Sequence, residues 1–157
     1  MNGGSYQELN LKFRIQMFMG VERNTFFNSK YIYNLVGGKE FAVGRQKQNI
    51  IGTNLRLIWR GGYRTVPIDL DASNAAGKEI RDYDSAYETK APDYYRIDVG
   101  VNFRKNKPNW SWVLSLDIQN LTGRLNVWDE YYRAESGTLE QITMVGMLPI
   151  VNFKVEF

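Results

Sequence analysis

Six carboxylates, Asp69, Asp71, Glu79, Asp82, Asp84 and Glu88, fall between residues 64 and 90 together with the cations Arg64, Lys78, Arg81 and Lys90. Oxygen donors at that density suit contact with a charged ligand or a divalent cation. The candidate ligand-contacting residues are Asp69, Asp71, Arg81, Asp82 and Asp84. The same charges better suit a solvated loop in which they pair with one another. The Asp and Gly order of an EF-hand calcium loop is absent. A second charged set, Arg96, Asp98, Arg104, Asp117 and Lys154, occupies the polar positions of alternating segments. Charges so placed form cross-strand pairs rather than a catalytic centre.

The chain has neither His nor Cys. Their absence removes imidazole and thiolate metal sites, Cys nucleophiles and the Ser-His-Asp triad. No other nucleophile stands in a recognisable catalytic setting, so no enzymatic activity is expected and no cofactor is implied. Gly37-Gly38-Lys39-Glu40 lacks the spacing of a phosphate-binding loop and reads as strand geometry. Asn120-Leu121-Thr122 matches a glycosylation sequon and is read as accidental.

The elements that must carry these residues are strands. Apolar and polar residues alternate with a period of two, and helical spacing is scarce. The pattern predicts an all-β antiparallel meander of about six long strands, near 10–19, 28–43, 49–63, 94–105, 110–120 and 141–157, with a long patternless loop at 64–93 and a small hairpin around Ser136-Gly137. Leu55, Leu57 and Trp59 should share a face, as should Ile97, Val99 and Val101, and Trp112, Leu114, Leu116 and Ile118. The chain ends in the same way, with Val151, Phe153, Val155 and Phe157 on one side and Asn152, Lys154 and Glu156 on the other.

Connections between the expected strands alternate between short and long. Expected strand lengths of ten residues or more exceed the usual five or six of globular sheets and reach the 9–11 of a tilted membrane-spanning strand. Aromatics make up 14% of residues, and many fall near expected strand ends, where they suit interfacial girdles. With 20 Lys and Arg scattered among 17 Asp and Glu, the net charge of +3 forms no basic stripe, so no nucleic-acid partner is expected. No apolar run approaches the about 20 residues of a membrane helix. A mean hydropathy of -0.43 does not tell against a barrel, whose two faces average out. Residues 1–5 carry no secretory signal, so an exported protein would have to begin upstream.

Particular stretches of wording go further than periodicity. They are Gly61-Gly62-Tyr63-Arg64-Thr65-Val66-Pro67-Ile68-Asp69-Leu70-Asp71-Ala72-Ser73, then Pro92-Asp93-Tyr94-Tyr95-Arg96-Ile97-Asp98, Leu116-Asp117-Ile118-Gln119-Asn120-Leu121-Thr122 and the terminal Asn152-Phe153-Lys154-Val155-Glu156-Phe157. In this order they resemble TonB-dependent outer-membrane receptors, most of all the Bacteroidetes type with a carboxypeptidase-regulatory-like domain. The resemblance runs from about Glu22 to Phe157.

It implies the C-terminal part of a transmembrane barrel of about 22 strands around a plug, in the cell outer membrane of a Gram-negative bacterium. The apolar faces named above would then be lipid-facing, and Arg96, Asp98, Arg104, Asp117 and Lys154 lumen-facing. Val151, Phe153, Val155 and Phe157 would form the signal read by the barrel assembly machinery. Other implied partners are outer-membrane lipid, the remaining barrel and plug, and the TonB system through a missing N-terminal part. The implied function is uptake of a nutrient of the iron-chelate or glycan class, by a fragment not competent for transport alone. The competing expectation is a soluble β-sandwich or barrel that binds glycans on its Tyr and Trp residues.

Overall fold

The computed structural model describes residues 15–16 and 22–157. In chain order the elements are β1 (Ile15–Gln16), β2 (Glu22–Arg23), β3 (Ile32–Val43), β4 (Asn49–Arg60), β5 (Arg64–Thr65), α1 (Leu70–Ala76), β6 (Thr89–Lys90), β7 (Tyr94–Asn106), β8 (Ser111–Gln119), β9 (Val127–Arg133), β10 (Thr138–Thr143) and β11 (Leu148–Glu156). The described residues are all-β apart from one two-turn helix. Most of the expected strand at 10–19 lies outside the described residues.

Five strands form one sheet in the order β11-β8-β7-β4-β3, so each long strand lies beside its predecessor in the meander. The register between β7 and β8 sets Val99 opposite Ile118, Val101 opposite Leu116 and Phe103 opposite Leu114. Between β8 and β11, Leu116 faces Val151, Leu114 faces Phe153 and Trp112 faces Val155. One face of three successive strands is therefore a continuous apolar surface. The intervening residues, among them Gly100, Asn102, Arg104, Ser115, Asp117, Asn152 and Lys154, share the opposite face.

The chain divides into two compact units, one of them built on this sheet (Tyr33–Trp59, Asp93–Asp129 and Gln141–Phe157). Among the described residues no apolar side chain is buried. The buried polar and charged residues are Thr25, Ser29, Arg64, Ser73, Ser111, Asn120 and Asn126. Leu114, Leu116, Val151 and Phe153 remain 40–69% exposed in the middle of their strands. Folding a soluble domain of this length would bury such residues first.

The other unit contains the described residues through Ile32 with Arg60–Pro92 and Glu130–Glu140. The stretch 64–93, expected as one long loop, instead contains β5, α1 and β6. It folds back as an irregular ribbon in which β5 pairs with β6 and Ile68 bridges Arg81. Further backbone bonds run from Ala91 N to Tyr63 O, Tyr87 N to Thr65 O and Asp69 N to Ile80 O. Helix α1 sits at its tip. Asp69 caps its N-terminus by accepting from Ala72 N at 2.9 Å, and Gly77 closes its C-terminus at φ 65°, a left-handed conformation suited to glycine.

Strand bounds also shift. The second expected strand begins at Ile32 rather than at 28, because Lys30 adopts φ 67° and breaks the extended backbone just before it. The third ends at Arg60, where Gly61 and Gly62 are pressed against backbone: a Cβ on either would overlap the carbonyl oxygen of Ser29 or Ala91 respectively. The last strand begins at Leu148 rather than at 141, because residues up to Thr143 belong to the β9–β10 hairpin, which turns at Gly137 with φ 66°.

Candidate functional site

Functional side chains fall into two groups, the polar face of the sheet and the carboxylates of the ribbon. On the polar face glycines make room for neighbouring amides. A Cβ on Gly100 would collide with both Asp117 Oδ1 and Asn54 Nδ2, so these two side chains lean over it from either side. A Cβ on Gly52 would collide with the Asn102 amide in the same way. Because Asn54 and Gly52 lie on this face, strand alternation places Leu55, Leu57 and Trp59 on the apolar one. Trp59 meets Tyr33 there, ring centroids 5.8 Å apart.

The five charged candidates, Arg96, Asp98, Arg104, Asp117 and Lys154, all share the polar face. Arg96 Nε donates to Asp98 Oδ1 at 2.6 Å, and Asn120 N donates to the same oxygen at 2.9 Å. Arg104 and Lys154 converge on Glu156, at 2.9 and 2.7 Å, and Ser111 Oγ adds a third bond to that carboxylate at 3.2 Å. Glu156 was missing from the candidates, although its alternation with Lys154 was the signal that could have found it. Arg104, Ser111 and Glu156 tie β7, β8 and β11 together, whereas Arg96–Asp98 and Lys154–Glu156 are pairs within one strand rather than the expected pairs across strands.

Two buried asparagines were also missed. Asn126 accepts from Tyr95 N and donates to Tyr95 O, at 3.0 and 2.9 Å, imitating one rung of strand pairing. Asn120, at φ 51°, donates to Arg124 O and Val145 O and is 4% exposed, so the apparent sequon is engaged within the fold. Nothing local in the sequence distinguishes them from loop residues.

In the ribbon the carboxylates serve separate parts of the backbone. Asp69 caps α1 and Asp71 lies exposed in the helix's first turn. Asp82 Oδ1 accepts from the backbone N–H groups of Asp84 and Ser85, at 3.0 and 3.3 Å. Hydrogen bonds from the Ser85 side chain and backbone hold the Asp82 carboxyl below its usual range. Arg81 pairs with Glu79 at 2.7 Å and extends to the carbonyls of Val66 and Glu130. The five candidates are therefore not gathered on one point, and among the described residues no cluster could hold a metal ion. The recess beside them, bounded by Val66, Pro67, Arg81 and Leu139, measures about 100 Å³, well under the about 300 Å³ of a small-molecule pocket.

Among the described residues Arg64 is the one buried charge. Its Nη1 donates to Tyr87 O at 2.8 Å and Glu88 O at 3.1 Å, closing the two sides of the ribbon. No protein-family model, curated protein or solved structure matches the chain.

Proposed function

We propose that the chain is a wall segment of an outer-membrane β-barrel of the TonB-dependent receptor type, serving uptake of an iron chelate or a glycan in the complete receptor. The observation that carries this reading is the continuous apolar face formed by a sheet that buries no apolar side chain. In water such a face is unfavourable by about 25 cal/mol for each Å² left exposed. Lipid removes that penalty.

Three further features support the reading. The strands of the sheet run from nine to 13 residues, the length needed to cross a bilayer at a tilt. Tyr33 and Phe41 on β3, and Tyr95 and Phe103 on β7, stand eight positions apart on the apolar face. That spacing is about 27 Å along the strand, or about 20 Å of height at a tilt of about 40°. Aromatics at such a separation suit the two girdles that flank an apolar band. The polar face carries small residues and paired charges, as a water-filled or plugged lumen requires.

Five strands do not close a barrel, whose smallest bacterial form has eight, and open edges are costly in lipid. Transport in this reading belongs to the complete receptor with its plug and its coupling to the TonB system, and the chain contributes wall rather than catalysis. A soluble glycan-binding sandwich would instead bury the inner face of its sheet. Diluting the unfolded chain from denaturant into buffer, detergent micelles or phospholipid vesicles separates the two. We expect a β-rich dispersed state only with micelles or vesicles. A monodisperse folded monomer in plain buffer would overturn the proposal.

A further inference from the structure

The apolar face changes character toward the short turns. Both short connections of the sheet, 44–48 between β3 and β4 and 107–110 between β7 and β8, lie at the same end of the meander. They carry Arg45, Lys47 and Lys107, and the stretches 43–48 and 105–110 contain no Asp or Glu. Two more cations stand on the apolar face itself. Lys105 lies opposite Trp112 in the register. Lys39 shares the face of Tyr33 and Phe41, and its Nζ lies 5.4 Å from the Phe41 ring centroid, so the side chain leans toward the turn.

Carboxylates at this end are elsewhere. Glu40 alternates onto the polar face, and Glu156 is matched there by Arg104 and Lys154. An aromatic row, Phe103, Trp112 and Phe153, crosses three strands just inside the cations, with successive centroids 5.4 and 6.0 Å apart. A long cationic side chain beside such a row buries its stem in the apolar layer and sends its charge to the headgroups.

We infer that the short-turn rim, Lys39, Arg45, Lys47, Lys105 and Lys107, binds the phosphates of anionic phospholipids in the leaflet that meets it. This rests on the reading of the apolar face as lipid-facing, and adds the headgroup class and the residues that select it. The attraction is electrostatic and local, so it falls with ionic strength.

The test is flotation of the full chain with vesicles of phosphatidylcholine alone, or of phosphatidylcholine and phosphatidylglycerol in equal parts. The wild-type chain should bind the anionic vesicles about tenfold or more tightly than the neutral ones, with the excess lost at high salt. The variant K39Q/R45Q/K47Q/K105Q/K107Q should lose that excess while still binding neutral vesicles, and K39R/K47R/K105R/K107R should retain it. Equal binding of the wild type to both vesicles, or an excess that survives in the glutamine variant, would overturn the inference and leave the lipid-facing reading standing. Binding to neither vesicle would overturn both.

Discussion

Single side chains close the irregular parts of this protein, and Arg64 and Asp82 make that measurable. Arg64 supplies charge-assisted hydrogen bonds to two carbonyls on the far side of the ribbon. Replacing it by Met keeps the bulk and removes both bonds, and should destabilise the ribbon by about 1–3 kcal/mol. Amide hydrogen exchange in micelles should then accelerate at Thr65, Tyr87 and Ala91. Unchanged protection would mean that the backbone ladder alone holds the ribbon. Asp82 gives a pH dependence. Its carboxyl is held below the ordinary range, so its contribution is fully present above the unfolded value and is lost as pH falls through the depressed folded value. A carbon-13 titration should show Asp82 protonating at lower pH than an unhindered Asp, with the Asp84 and Ser85 amides losing protection in the same step. Neither role was visible in the sequence, where both residues belonged to one charged cluster. Which carbonyl or amide a side chain reaches depends on where the ribbon folds back.

At the scale of elements, the strands were the legible part because each writes its own two-residue period. Leu114 and Ser115 are neighbours in β8 with opposite fates, since Leu114 faces Phe153 across the apolar surface and Ser115 faces Asn152 on the polar one. In a closed barrel containing this wall, Leu114→Arg should cost about 2–4 kcal/mol near the bilayer midplane, whereas Ser115→Arg should be mild. Equal costs in reversible folding into vesicles would sink the lipid-facing assignment. Helix α1 was missed because seven residues give only two turns, too few for a period of 3.6 to emerge. Its caps, Asp69 and Gly77 with alanines between, were the signal available. The last strand was read too long because Thr138–Thr143 alternates as well, and only its pairing with β9 separates the two.

For the whole molecule, the question under the proposed membrane reading is how a sheet with no buried apolar side chain among the described residues would be delivered and kept. Phe157 ends the apolar row of β11 and is fully exposed. In a closed barrel exported in cells, deleting Phe157 should lower the folded outer-membrane level several-fold while leaving synthesis unchanged. Normal levels of the deletion would count against its role as an assembly signal.

What the sequence by itself determined was the all-β class, the long meander and which residues share a face. All three follow from the covalent alternation of side chains along a strand, a property that each short segment carries alone. Tertiary structure decided the rest: the order β11-β8-β7-β4-β3, the ordered ribbon at 64–93, the convergence of Arg104 and Lys154 on Glu156, and the exposure of every described apolar side chain above the buried range. Those depend on where the chain folds back and on contacts between residues distant in sequence, such as Arg104 and Glu156, 52 positions apart. Their geometry leaves no local pattern to read.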